Sequence, residues 1–165
     1  MNTFRGLLTK RENALVILTG ISYDLGASVG KGASKAPAVI RSLSKHLPPF
    51  TMNGESIEDI RLFDNGIIKP KNLEVIGKYT KDLFKENKFR IFIGGDHSIS
   101  IPLQANFYEE TIKKGKTPVI IHIDAHPDFC DVYDGTKFSH ACPNMRIHEK
   151  GVKLENMVLI GIRGY

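Results

Sequence analysis

Short apolar runs alternate along this chain with longer stretches in which apolar residues recur at helical spacing. Ala14 to Leu18 reads as a buried strand leading into a glycine-bearing loop, Gly20 to Ser34. Val39, Ile40, Leu43 and Leu47 recur as one helical face, and Pro37 suits a first helical turn. A weaker strand is expected at Asp59 to Phe63. Leu73, Ile76, Leu83 and Phe84 mark an amphipathic helix over Lys71 to Glu86. Arg90 to Ile93 predicts a strand, Ile101 to Lys113 a helix, Val119 to Ile123 a strong strand and Met157 to Ile162 another. Strands alternating with helices imply right-handed βαβ units, hence an α/β fold with a parallel sheet covered on both faces. Such sheets place function just beyond the carboxyl ends of their strands. The sequence stops at Tyr165, soon after an apolar strand that a crossover helix should follow, so the chain reads as cut short.

A length of 165 residues with 41% apolar positions suffices for one domain with its own core. No segment approaches the roughly 20 apolar residues that span a bilayer. Arg5, Lys10, Arg11 and Glu12 interrupt the amino terminus before any apolar signal core forms. A cytoplasmic protein without membrane association is expected. The net charge of +5 invites a nucleic-acid partner. The basic residues are scattered, however, and the densest run, Lys113-Lys114-Gly115-Lys116, falls in a turn before an apolar strand. A solvated surface accounts for them, and no nucleic-acid partner is implied. Cys130 and Cys142 form neither a CxxC pair nor a disulfide framework and read as inert thiols. In the glycine loop, Gly30-Lys31-Gly32 lacks the third glycine of a dinucleotide fingerprint and the hydroxyl residue of a P-loop.

The chemistry concentrates in two places. Ile121-His122-Ile123-Asp124-Ala125-His126-Pro127-Asp128 carries three potential metal ligands spaced two apart after an apolar run. In an extended backbone Asp124, His126 and Asp128 would converge on one side. An Asp-rich turn punctuated by Pro127 is the plainer alternative, but it does not call for a histidine in its middle. Gly94-Gly95-Asp96-His97-Ser98 follows the apolar run Ile91-Phe92-Ile93. A lone His97 would read as a helix cap or a satisfied buried group. Behind a Gly-Gly strand end that permits close packing, it reads better as a ligand. Asp96 either coordinates or orients His97. Carboxylates with imidazoles and no paired thiolates favour Mn2+ or Zn2+, and neighbouring carboxylates favour two cations. Such a pair deprotonates a water near neutral pH, which points to metal-assisted hydrolysis.

At these residues the chain resembles the ureohydrolase family of arginase, agmatinase and formimidoylglutamase. The resemblance extends from Gly20-Ile21-Ser22-Tyr23-Asp24-Leu25-Gly26-Ala27-Ser28 through Ala36-Pro37 and Ile40-Arg41, to Phe138-Ser139-His140-Ala141 and Ile160-Gly161-Ile162-Arg163-Gly164. Asp-Ala-His-Pro-Asp followed by a Ser-His pair looks most like agmatinase; guanidinobutyrase, arginase and formimidoylglutamase are the alternatives within the family. The resemblance implies a three-layer αβα arginase-like fold, of which residues 1–165 would be the amino-terminal part of one domain. It implies two Mn2+ ions bridged by hydroxide, with His97, Asp124 and Asp128 on one and Asp124 and His126 on the other. It further implies agmatine as the small-molecule guanidino substrate, urea and putrescine as products, and a homo-oligomer in the full-length form. Asp128 would relay a proton to the leaving amine, and His140 would shuttle protons with solvent; a merely solvated loop histidine is the alternative for His140. Family members run longer and carry a later pair of aspartates spaced two apart, which completes both metal shells. No Asp-x-Asp pair occurs in this sequence. A non-catalytic fragment that binds metal weakly is therefore the rival expectation.

Overall fold

The computed structural model describes residues 3–164; Tyr165, where the sequence reads as cut short, lies outside the described residues. Two compact units form. The first runs through Tyr23 and takes Gly32–Pro70 and Glu86–Gly95; the second takes Asp24–Lys31, Lys71–Lys85 and the chain from Asp96 onward.

In the first unit β1 (Val16–Ile21), β2 (Leu62–Ile68) and β3 (Phe89–Ile93) make a parallel sheet in the order β2-β1-β3. β1 contains neither proline nor charge, so it can bond along both edges while five of its six residues are buried. β2 starts later than the pattern predicted and runs through Asp64, Asn65 and Gly66. A register shift opposite Leu18 and Gly20 accommodates this polar stretch, with Gly66 at φ 78°. Partners make the polar residues tolerable there. The Arg41 guanidinium donates from Nη2 to Asp64 Oδ1 at 2.6 Å and to the Gly66 carbonyl at 2.8 Å. Asn65 Nδ2 donates to Thr19 Oγ1 at 3.2 Å.

Helix α1 (Ala36–Leu43) begins around Pro37 as expected, yet it buries Pro37 and Arg41. Val39, Ile40, Leu43 and Leu47, the face predicted to be covered, are exposed. Glycine explains the choice. A Cβ at Gly20 of β1 would lie 2.6 Å from Arg41 Nη1 and 3.0 Å from Pro37 Cβ, so the missing side chain admits that side of α1. Where β3 ends, Gly95 passes so close to Tyr23 that a Cβ would lie 1.6 Å from its carbonyl oxygen. Only glycine fits this strand end.

The second unit contains β4 (Ile120–Ile123) and β5 (Met157–Ile160), paired in parallel from Ile120 with Met157 to Ile123 with Ile160. It also holds α2 (Leu73–Thr80), α3 (Ser100–Lys113) and α4 (Pro143–Lys150). The helix expected over Lys71 to Glu86 is α2 followed by a 3-10 turn, Asp82–Lys85. Asn72 caps α2 by accepting the Val75 N–H at 3.0 Å. Asn106 of α3 donates to the Gly77 carbonyl and to Thr80 Oγ1, so this buried amide is paired across to α2. Ile120, Ile147 and Val152 form a small core with Phe107, Tyr108 and Met157. α4 was not predicted, because its sequence is mostly polar. Its start and stop were nevertheless legible in Pro143 and in Gly151 at φ 128°.

Among the described residues the strand ladders are parallel, as the α/β reading requires, but they form a three-stranded and a two-stranded sheet instead of one. Within the second unit, Ile120, His122 and Met157 face the packed side of the sheet. Ile121, Ile123, Val158 and Ile160 leave the other side exposed.

Candidate metal centre

His97, His122, Asp124 and Asp128 each offer a ligand atom, and these four atoms lie within 4.8 Å of one another. All four belong to the second unit. His97 opens a 3-10 turn, His97–Ile99, that runs into α3. Asp124 follows the last residue of β4, and its N–H prolongs the ladder by donating to the Ile160 carbonyl at 3.0 Å.

The segment beyond Asp124 is a loop and not the extended strand assumed from the spacing. β4 ends at Ile123, and Asp128 adopts φ 50°, a left-handed conformation unusual for a residue with a side chain. Side-chain alternation therefore does not bring these residues together; the loop does. Three elements hold it. The Arg163 and Gly164 N–H groups donate to the Ala125 carbonyl at 2.8 and 3.0 Å. The first turn of α4 takes the Asp128 carbonyl through the Asn144 N–H at 3.0 Å, and Asn144 Nδ2 donates to the Pro127 carbonyl at 2.8 Å. From within, His122 Nε2 donates to the His126 carbonyl at 2.9 Å.

His122 is the residue the sequence reading missed. It is buried and stacks on His97 with ring centroids 5.4 Å apart. A carbonyl oxygen only accepts, so Nε2 of His122 carries a proton and acts there as a donor, not as a ligand. Its position two residues before Asp124, on the same strand face, was the available clue. His126, expected to coordinate, lies outside the cluster of four. Its imidazole is exposed, with Nδ1 3.7 Å from Asp124 Oδ1, and a Cβ at Gly164 would touch its ring.

The donor set suits a cation. Ser100 Oγ lies 3.0 Å from His97 Nδ1, a hydrogen-bond distance that leaves Nε2 to face inward. That Nε2 is buried without a hydrogen-bond partner, 3.2 Å from Asp128 Oδ2. A buried ring nitrogen facing a buried carboxylate oxygen requires a positive charge between them, whether a proton or a metal ion. The His126 N–H, donating to Asp124 Oδ1 at 3.0 Å, holds the Asp124 carboxyl below its ordinary pKa against partial desolvation. His122 and His97 lower it further. An ionised, hard oxygen ligand is the result.

Asp96 is not part of the cluster and does not touch His97 through its carboxylate. Its Oδ1 accepts the Ser98 N–H at 2.8 Å and its Oδ2 the Gly26 N–H at 2.9 Å. His140 lines a cavity of 410 Å³ together with His126, Asp128, Phe129, Cys130 and Tyr133. Its Nδ1 lies 3.0 Å from the Gly26 carbonyl, and the Tyr133 ring meets it edge-on at 5.4 Å. Both cysteines are free; Cys142 is buried and Cys130 faces this cavity. Among the described residues, no helix is long and apolar enough to cross a membrane.

Comparison with known proteins places the chain in a family. The chain is 30% identical over 159 residues to an agmatinase of Bacillus cereus, covering 92% of this chain and 53% of that protein. It is 39% identical over 161 residues to a mitochondrial arginase of Medicago truncatula, covering 88% and 46%. The agmatine ureohydrolase of Thermoplasma volcanium superposes with a TM-score of 0.85 at 23% identity, over 99% of this chain and 55% of the other, and supports the fold alone. The chain thus spans about half the length of the curated relatives it matches. The family model described as the arginase family matches residues 14–165, so this chain belongs to the arginase family of ureohydrolases.

Proposed function

We propose that the chain carries the metal-binding part of a ureohydrolase that cleaves the guanidino C–N bond of agmatine, giving urea and putrescine. The observation that carries this reading is the convergence of His97, Asp124 and Asp128 beside a cavity that His140 lines. His97, Asp124 and Asp128 would hold one Mn2+, and Asp124 with His126 a second. When bound, such a pair supplies hydroxide at neutral pH and polarises the guanidino carbon.

The remaining work falls to the protein. The Asp128 carboxylate, buried and fixed by its loop, would take up the proton lost by the attacking oxygen and pass it to the departing amine. His140 at the cavity wall exchanges protons with solvent. Phe129 and Tyr133 give the cavity an apolar side, and neither lysine nor arginine lines it. Agmatine is the first reading because the run Asp124 to Asp128, followed by Ser139-His140, most resembles agmatinase. Arginine is the second reading, favoured by the identity of 39% to the Medicago arginase. We further propose that residues 1–165 correspond to the amino-terminal part of one ureohydrolase domain, that the full-length form is a homo-oligomer, and that the enzyme is cytoplasmic.

Urea release from agmatine, arginine and 4-guanidinobutyrate, with Mn2+ added and its binding measured alongside, tests the reading. Turnover of agmatine above the others is expected. Turnover of arginine alone would select the second reading. Mn2+ binding without turnover on any of the three would reject catalysis by this polypeptide.

A further inference from the structure

Asp96 spends both carboxylate oxygens on backbone N–H groups, those of Ser98 and Gly26, while being buried itself. Gly26 is the hinge of this arrangement. A Cβ there would lie 2.3 Å from Ser98 Oγ and 2.9 Å from Asp96 Oδ1, so the carboxylate reaches the Gly26 N–H only because the residue is glycine. On its other side the Gly26 carbonyl accepts twice from one residue, from the His140 N–H at 3.1 Å and from His140 Nδ1 at 3.0 Å. A carbonyl cannot donate. The neutral His140 ring is therefore held with its proton on Nδ1 and its lone pair on Nε2. Free neutral histidine favours the opposite tautomer, so this one must be imposed.

We propose that Asp96 is a positioning residue for His140, acting through Gly26. Its carboxylate anchors the Gly26 backbone, the carbonyl fixes the Nδ1–H tautomer, and Nε2 is left as the proton-accepting atom at the cavity. The inference rests on the reading of His140 as the proton carrier, but it concerns a ring tautomer that is measured without turnover. It gives Asp96 neither of the roles its sequence position suggests, ligand or orienter of His97; Ser100 is the residue beside His97 Nδ1.

The test is long-range proton–nitrogen correlation of the histidine rings in the uniformly labelled 165-residue chain, at about pH 8.5, where ordinary histidines are neutral. His140→Ala assigns the signal. His148, whose Nδ1 lies 2.9 Å from the Val152 carbonyl, is the internal reference. In the wild type His140 is expected as the Nδ1–H form. In Asp96→Asn, where an amide NH2 must face one of the two N–H donors, His140 is expected to become a tautomer mixture while His148 stays unchanged. A wild-type His140 protonated on Nε2 overturns the proposal, and so does Asp96→Asn with His140 unmoved. If Asp96→Asn disturbs His148 as well, hydrogen exchange of the wild-type Gly26 amide decides. Slow exchange supports the anchor, and exchange at the rate of an open loop overturns it. Absence of urea release leaves every one of these outcomes readable.

Discussion

β1 and β4 are both short aliphatic strands, Val-Ile-Leu-Thr-Gly-Ile and Ile-Ile-His-Ile, yet they meet different surroundings. β1 pairs with a strand along each edge and buries five of its six residues. β4 pairs along one edge and alternates, with Ile120 and His122 buried while Ile121 and Ile123 are 65% and 76% exposed. An aliphatic run records how much a strand gains by leaving water; what covers it is decided elsewhere. The buried face of β4 also carries a histidine that holds the candidate metal loop. The exposed face carries only isoleucines.

The largest expected effect contrasts the two strands directly. Ile17→Ala should cost about 2–5 kcal/mol of stability, because Ile17 is fully enclosed. Ile121→Ala should stay within about 0.5 kcal/mol. Urea denaturation of both variants measures this, and equal losses would mean that β4 is covered on both sides in solution.

Next comes the buried face of β4. His122→Phe keeps the ring but removes the donor to the His126 carbonyl, and should cost about 1–3 kcal/mol. Mn2+ affinity should fall with it, since the loop carrying Asp124 and Asp128 loses its inner support. A variant that melts and binds like the wild type would show that α4 and the Arg163 segment hold the loop unaided.

Ile121→Lys sharpens the contrast from the exposed side. It should leave the melt unchanged within about 0.5 kcal/mol, while lowering binding of a hydrophobic dye and self-association at high concentration. Loss of folding in this variant would place Ile121 in a core.

The smallest effect concerns the packing of α3 on α4. Glu109 accepts from Lys150 at 2.8 Å, and that hydrogen bond, with the lysine charge, lowers the Glu109 pKa against desolvation. A lowered folded-state value means the stabilisation is present above the ordinary glutamate pKa of about 4.3 and fades as pH falls through the folded value. The pair is partly exposed, so solvent screening keeps it near 0.2–1 kcal/mol, roughly the range of surface pairs. Melts of Glu109→Gln and wild type should differ at neutral pH and coincide in acid. A difference that persists in acid would assign the effect to packing.

Much of the architecture was legible because periodicity is local physics. The strands at β1, β3, β4 and β5 and the helices α2 and α3 follow from apolar spacing that any burial must respect. The ligand-bearing segments were legible too, since glycines at a strand end and an Asp-Ala-His-Pro-Asp run are chemical choices written in single residues. α4 escaped because a helix held by Asn144 and Ile147 against its neighbours shows little apolar period. The buried face of α1 was misassigned because a charge bonded to Asp64 buries as well as an isoleucine does.

By itself, then, the sequence determined the α/β class, the arginase-family resemblance and the residue types available for metal chemistry. Those are properties of composition and spacing along one line of chain. Only the tertiary structure decided that His122 braces the ligand loop from within, that His126 faces outward, and that Asp96 serves Gly26. These depend on where β4 stops, on the left-handed turn at Asp128, and on hydrogen bonds between segments as distant as Gly26 and His140. Long-range partners of that kind have no local period to announce them.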